Sequence, residues 1–338
     1  MLDSKRTFII AELSANHGGD IEIAIETVLA AKRAGADAIK LQTYTADTIT
    51  LKSYKQDFKV IGTHWDGLYL YDLYKEASLP WDWHARIFQV AKECGLVCFS
   101  SPFDNSAVDL LESLGCPIYK IASLEITDIG LLEYVASKGK PVIMSTGIAT
   151  IEDIELAVET CRSAGNDDIC ILKCTSEYPA SPGDANLLTI PDIASRFGVK
   201  SGLSDHTIGV EGPIVAVALG GTVIEKHFIL NKSVGGPDSH FSLDEMEFKQ
   251  MVDAIRIAEK MLGVVDYELT DKKIKSRSFS RSLYVVKGVK QGEVFNEENV
   301  RSIRPGYGLH PKFLNDVLGK KAKLDVEEGT AMQKSFYV

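Results

Sequence analysis

Ionisable and hydroxyl side chains recur along this chain at the ends of short apolar runs. They are Glu12 after FIIA, Lys40 and Gln42 in AIKLQTY, Ser100 and Ser101 in VCFSSPF, and Lys120 and Ser123 in IYKIAS. Ser145 and Thr146 follow in PVIMSTG, Lys173 and Thr175 in ICILKCTS, Ser204, Asp205 and His206 in SGLSDHT, and Glu225, Lys226 and His227 in VIEKHF. Packing does not account for the set, because buried strand positions favour branched apolar residues. Strand side chains alternate faces, so Lys40 shares a side with Gln42, and Glu225 with His227. Lys40 and Lys120, beside the hydroxyls of Ser101, Ser123, Ser145 and Thr146, make a cradle for phosphate and carboxylate. A lysine at such a place can instead form a Schiff base with a carbonyl substrate. His206 and His227 close successive runs, where two imidazoles can share one divalent ion and leave positions open for water and a substrate oxygen. Hydrogen-bonded core histidines are the competing reading. Few protein ligands in oxygen-rich surroundings suit Mn2+ or Mg2+ better than structural zinc.

These groups need a scaffold that gathers the ends of many strands. Residues 8 to 262 alternate such runs with amphipathic helical text, as in IEIAIETVLAAKRAG and IEDIELAVETCRSAG, each closed by a glycine suited to a left-handed cap. Strands alternating with helices imply a parallel sheet. Eight units in about 255 residues match a closed (β/α)8 TIM barrel, whose chemistry sits at the C-terminal strand ends. An open doubly wound sheet is the competitor, but its first turn would carry GxGxxG where this chain reads SANHGGD. The connection from Thr45 to Asp82 is too long for one helix. It carries or borders Trp65, Trp81 and Trp83, with Tyr54, Tyr69, Tyr71 and Tyr74, and reads as a packing helix or lid, or as an apolar substrate contact. The barrel is expected over 1–263, a polar, basic linker over 264–281, and a small β-rich domain over 282–338. The last contains an internal echo, VKQGEVF from Val289 against VEEGTAM from Val326. So short a domain buries little core, and docking onto a barrel is expected.

The 338 residues are 45% hydrophobic and 25% charged, which excludes disorder and a disulfide-stapled miniprotein. With 37 basic against 47 acidic residues the net charge is −10, so nucleic acid is not an expected partner and an anionic substrate needs a local basic cluster. No apolar run approaches the roughly 20 residues of a membrane span, and FIIA is too short for a signal-peptide core. The six cysteines, Cys94, Cys98, Cys116, Cys161, Cys170 and Cys174, form no paired CxxC pattern. Buried free thiols in a reducing cytoplasm are expected.

Read in order, FIIAELSANHGG, GADAIKLQTYTADTIT, CFSSPF, YKIAS, STGIAT, LKCTSEYP, GLSDHT, VALGGTVIEKHF and RPGYGLHPK resemble the sialic acid synthase family, from about residue 7 to residue 334. AELSANH, LQTYT and SRSLY with RPGYGLHPK resemble its pseudaminic acid branch. The resemblance implies a TIM barrel joined to an antifreeze-like (SAF) domain in a domain-swapped homodimer. It further implies condensation of phosphoenolpyruvate with an open-chain amino sugar, giving a nine-carbon 2-keto acid and phosphate. For this branch the sugar is 2,4-diacetamido-2,4,6-trideoxy-L-altrose; a sialic or legionaminic acid precursor is the alternative. By resemblance His206 and His227 hold a divalent metal (Mn2+, Mg2+ or Co2+), and Glu12 is the acid/base group. Lys40, Lys120, Ser101, Ser123 and Ser145 hold phosphoenolpyruvate, while Ser204, Tyr178, Glu225 and Asp238 surround the sugar or a metal-bound water. Arg304 would reach the partner subunit and hold an acetamido group. Two departures fall at expected acceptor contacts: Ser176-Glu177 stands where sialic acid synthases place Asn, and Leu41 and Tyr44 stand in their HQTH block. Both turn the expected acceptor away from the sialic acid precursor.

Overall fold

The computed structural model describes residues 6–62 and 66–338. Trp65 of the aromatic connection, and the first five residues that precede FIIA, lie outside the described residues. The chain divides after Gly263 into two compact units.

In the first unit eight parallel strands close a barrel in chain order: β1 (Phe8–Glu12), β2 (Ala38–Thr43), β3 (Val97–Pro102), β4 (Tyr119–Ile121), β5 (Val142–Ser145), β6 (Ile169–Cys174), β7 (Lys200–Asp205) and β8 (Val223–His227). The expected (β/α)8 barrel is therefore present, with all eight strand runs in place. Register sets who faces whom. Glu12 lies opposite Lys40 on one side and His227 on the other, and Gln42 lies opposite Ser101. Ser204 is level with Glu225, and Asp205 with Lys226. Gly202 makes the β7–β8 approach possible, because a Cβ there would meet the Val223 carbonyl oxygen at 2.0 Å and Leu172 at 2.9 Å.

The helices form where caps and apolar spacing agree. Ile21–Ala34 begins on Asp20, whose side chain accepts from the Glu22 amide, and ends at Gly35 with φ 91°. Ile151–Ser163 and Glu245–Leu262 each open on a reciprocal capping box, Thr150 with Asp153 and Asp244 with Glu247. Phe248, Met251, Val252 and Ile255 repeat at helical spacing and bury one face of the last helix against the strand layer. Two apolar clusters fill the barrel unit, one including Phe99, Tyr119, Ile143 and Ile171, the other Ile9, Ile39, Leu203 and Ile224. The long connection after β2 folds as short pieces, with helices at Ala46–Ile49 and Leu70–Ala77 before Trp81–Glu93. Of its aromatics, Tyr74 stacks edge-on to Tyr44, which in turn meets Phe103, while Tyr54 pairs with Tyr69. All six cysteines are free thiols, and all but half-buried Cys94 are buried. Among the described residues no helix is long and apolar enough to cross a membrane.

In the second unit the stretch expected as linker contains a short helix, Asp271–Arg277, before β9 (Ser282–Val285) pairs antiparallel with β10 (Val300–Ile303). The sequence echo is a structural one. Val289 and Val326 exchange both backbone hydrogen bonds, at 2.9 and 2.8 Å, and Gly292 and Gly329 take matching positive φ of 88° and 83°. Phe295 and Met332, equivalent in the echo, share one core with Leu283, Val285, Val300 and Val317.

Candidate active site

The C-terminal ends of the barrel strands converge on a buried network of opposite charges. Lys40 Nζ lies 2.6 Å from Glu12 Oε2 and 3.7 Å from Glu225 Oε1, and Lys120 Nζ lies 3.8 Å from Glu225 Oε2. All four side chains are almost wholly buried. Gln42 donates to Glu12 Oε1 at 2.9 Å and to Ser14 Oγ at 3.0 Å, and Lys40 donates to Ser101 Oγ at 3.2 Å. Burying so many charges is costly unless each is paired, so the network is poised to accept further charge rather than to maximise stability. Its electrostatics divide the members. Burial, helped by Glu225, holds Glu12 above the usual carboxylate range despite Lys40. Burial acts the same way on Glu225, but Lys120 and Lys40 outweigh it and hold that carboxyl below its ordinary value. Burial lowers Lys120, whereas on Lys40 the pull of Glu12 and Glu225 overcomes burial and raises it.

A hydroxyl cluster adjoins the lysines. Ser176 donates to Ser123 Oγ at 3.0 Å, and Ser123 Oγ also accepts from the Ile148 amide at 3.2 Å. Ser145 Oγ is buried and makes no hydrogen bond among the described residues. Gly147 makes this crowding possible, since a Cβ there would sit 2.0 Å from Ser176 Oγ and 2.7 Å from Ser123 Oγ. Two lysines with unspent hydroxyl donors fit an anion of several oxygens.

On the far side His206 and His227 stand with ring centroids 5.2 Å apart, flanked by Tyr178 and Phe241. His206 follows directly after β7. Its Nδ1 lies 2.8 Å from the Thr175 carbonyl, which can only accept, so Nδ1 carries a proton and Nε2 is the nitrogen left to face a ligand. His227 is held well below its ordinary value by burial and then by His206, Lys40, Lys226 and Lys120, so its ring is neutral. Its Nδ1 is buried without a hydrogen bond among the described residues and lies 3.7 Å from Asp238 Oδ2. Asp238 comes from the loop after β8 and accepts from Ser14 Oγ at 2.5 Å. On His206 burial is outweighed by Cys174, the Thr175 carbonyl and Asp205, which raise it, so a divalent cation beside the neutral His227 would take the place of a proton on His206. No group of three or more His, Cys, Asp and Glu among the described residues converges on one ion, so a cation here would complete its shell with water or substrate oxygens. That is the habit of Mn2+ and Mg2+ rather than of structural zinc.

The structure thus brings Glu12, Lys40, Ser101, Lys120, Ser123, Ser145, Tyr178, Ser204, His206, Glu225, His227 and Asp238 to one end of the barrel, with Ser204 buried on the inner face of β7. Arg304 belongs to the second unit, just past β10, and is exposed. Ser100 and Lys173, also at strand ends, face outward. Ser100 joins Thr43 and buried His84, and Lys173 donates to the Cys174 carbonyl. A model of the "NeuB family" matches residues 27–267, and a model of the "SAF domain" matches 280–336.

The chain belongs to the NeuB family.

Among NeuB-family relatives, the pseudaminic acid synthase of Campylobacter jejuni is 50% identical over 98% of this chain and 96% of its own length. That of Helicobacter pylori is 49% identical over 96% of each. A crystal structure of an N-acetylneuraminic acid (sialic acid) synthetase from Leptospira borgpetersenii, in complex with citrate, superposes with a TM-score of 0.72 at 31% identity, covering 80% of this chain and 90% of that one.

In this NeuB-family barrel three contributors escaped sequence reasoning. Glu125 lies two residues beyond Ser123 and has a buried Oε2 with no hydrogen bond among the described residues; burial outweighs the pull of Lys120 and pushes its carboxyl up to about 7. Its signal was its place in the KIASLE block, one turn past a strand end. Ser14, which bridges Gln42 and Asp238, and Phe241, which stacks on His227, carried no distinguishing pattern.

Proposed function

We propose that this chain is a pseudaminic acid synthase, condensing phosphoenolpyruvate with 2,4-diacetamido-2,4,6-trideoxy-L-altrose and water to give pseudaminic acid and phosphate. The observation that carries the reading is half-identity over nearly the whole length to relatives bearing that name, against 31% to a sialic acid synthetase. Lys40 and Lys120, with Ser101, Ser123 and Ser145, would hold the phosphate and carboxylate of phosphoenolpyruvate. His206 and His227 would hold Mn2+, Mg2+ or Co2+, which when bound supplies Lewis acidity to the acceptor carbonyl. The enol carbon forms the new C–C bond to the aldehyde carbon. The aldehyde oxygen takes up a proton as the bond forms, water adds to the cationic carbon that bears the phosphate ester, and Glu12 takes the water's proton. The C–O bond from that carbon to phosphate then breaks as the new hydroxyl gives up its proton, leaving the ketone and phosphate. Glu12 suits the task because burial raises its basicity while Gln42 and Lys40 fix its orientation. Glu125 is a neutral carboxyl beside Lys120 at pH values below about 7, able to donate a proton. Tyr178, Ser204, Glu225 and Asp238 would face the sugar. We further propose a domain-swapped homodimer in which Arg304 reaches the partner's barrel to hold an acetamido group. A cytoplasmic setting agrees with six free cysteines.

The test offers the purified chain three acceptors with phosphoenolpyruvate and Mn2+: the diacetamido-trideoxy altrose, the legionaminic precursor and N-acetylmannosamine. The first is expected to give the highest kcat/KM by at least tenfold. Equal or better use of N-acetylmannosamine would sink the assignment. Oxygen-18 in the bridging C–O of phosphoenolpyruvate should leave with phosphate, and its retention in the keto acid would exclude the proposed cleavage.

A further inference from the structure

The two histidines sit on neighbouring strand ends, and the residue just before each one points away from the cavity. Those two residues, Asp205 and Lys226, are register partners across β7 and β8. Lys226 Nζ lies 2.5 Å from Asp205 Oδ2, and the side chains are 1% and 3% exposed. Lys226 also donates to the Thr207 carbonyl, while Asp205 Oδ1 accepts from the Thr207 amide at 3.0 Å and its hydroxyl at 2.8 Å. Both sides of His206 are therefore tied to the back of β8. Gly212 leaves room for the knot, since a Cβ there would come within 3.3 Å of both Asp205 oxygens and of Thr207 Oγ1. His206 itself is clamped twice more, its carbonyl accepting from the Ala180 amide at 2.9 Å and its Nδ1 donating to Thr175.

A buried ion pair is weak evidence for stability, because apolar residues of similar volume often pack as well. What this pair does that apolar residues cannot is lock two strand ends in one register. The same register sets Ser204 opposite Glu225 and, at its end, the two imidazoles; the imidazoles directly follow the paired residues. We propose that Asp205 and Lys226 are positioning residues that fix the separation and aim of His206 and His227, and so set the affinity of the site for a divalent cation. The inference rests on the reading of the two histidines as cation ligands.

The test measures Mn2+ binding to the full chain without substrates, by electron paramagnetic resonance of free Mn2+. Phosphoenolpyruvate affinity is measured separately. The Asp205→Asn/Lys226→Met double variant removes both charges together and so leaves no unpaired buried ion. It is expected to weaken Mn2+ by about tenfold or more, with phosphoenolpyruvate affinity within twofold of wild type. Asp205→Asn alone keeps one acceptor oxygen for Thr207 but turns an amide donor toward Lys226 and so breaks the pair; it is expected to weaken Mn2+ at least as far, and it carries the test if the double variant does not fold. Wild-type Mn2+ affinity in the folded variants would overturn the proposal and leave the pair a purely structural brace. Wild-type Mn2+ affinity in His206→Ala would overturn the underlying reading of the histidines instead, so the two failures are told apart.

Discussion

Three glutamates share the barrel mouth, and their neighbours divide them into different chemical states. Glu225, between two lysines, stays ionised, whereas Glu12 and Glu125 are pushed upward by burial. Pairs of titratable groups forced apart in this way mark acid and base assignments. Glu125 gives the sharper prediction because its carboxyl is pushed up to about 7. Below that value it is a proton donor; as pH rises through it the proton is lost, and a rate that needs the donor falls. The kcat/KM profile should therefore show a falling limb with an apparent pKa near 7. Glu125→Gln cannot ionise or transfer a proton, so it should lose that limb and about two orders of magnitude in kcat. A limb that survives unchanged in the variant would remove Glu125 from the mechanism. The group was hard to read from sequence because a glutamate on a one-turn helix resembles any solvated glutamate until burial is known.

At the scale of elements, two glycines separate fold from site. At Gly202 an added Cβ meets backbone, the Val223 carbonyl oxygen at 2.0 Å, and backbone in a closed barrel has nowhere to move. Gly202→Ala should cost about 3 kcal/mol, read as a lower urea midpoint, with loss of activity only where the barrel unfolds. At Gly147 the added Cβ meets the hydroxyls of Ser176 and Ser123, which can rotate away, and Ser176 Cβ at 3.0 Å, which needs to give by only a few tenths of an ångström. Gly147→Ala should keep the wild-type midpoint and raise the KM for phosphoenolpyruvate by about tenfold if the displaced hydroxyls serve the proposed anion cradle. The reverse pattern, a stability loss at Gly147 and a binding loss at Gly202, would contradict both assignments. The barrel was legible because period-two runs, capping boxes and helix-closing glycines all agreed on one architecture. Lys40, Lys120, Glu12 and both histidines were legible because inward parity at a strand end is a property of spacing alone. Ser100 and Lys173 stand at the same strand ends without joining the site, because their parity turns them outward, Ser100 to Thr43 and Lys173 to the Cys174 carbonyl. Ser14 and Phe241 escaped because loops bring them in, and loops have no period.

For the whole molecule, a net charge of −10 contrasts with the proposed anion site, where Lys40 and Lys120 are buried. The second unit supplies a different cation, Arg304, exposed at the end of β10. Its loop is tightly shaped: a Cβ at Gly306 would come 2.6 Å from the Arg277 carbonyl oxygen, and one at Gly308 would come 2.2 Å from that of Leu283. Such close backbone packing holds Arg304 out on a rigid support, the arrangement needed by a side chain that serves a site on another subunit. If it does, two defective chains can repair each other. Arg304→Ala and Glu12→Gln homodimers should each be nearly inactive. When equal amounts are unfolded, mixed and refolded, about half of the dimers are mixed, by random pairing of two chains. Each mixed dimer holds one barrel with Glu12 intact facing one intact Arg304, so the mixture should regain about a quarter of wild-type activity. Full activity of a monomer, or no recovery from a mixture shown to contain heterodimers, would place Arg304 outside the catalytic assembly.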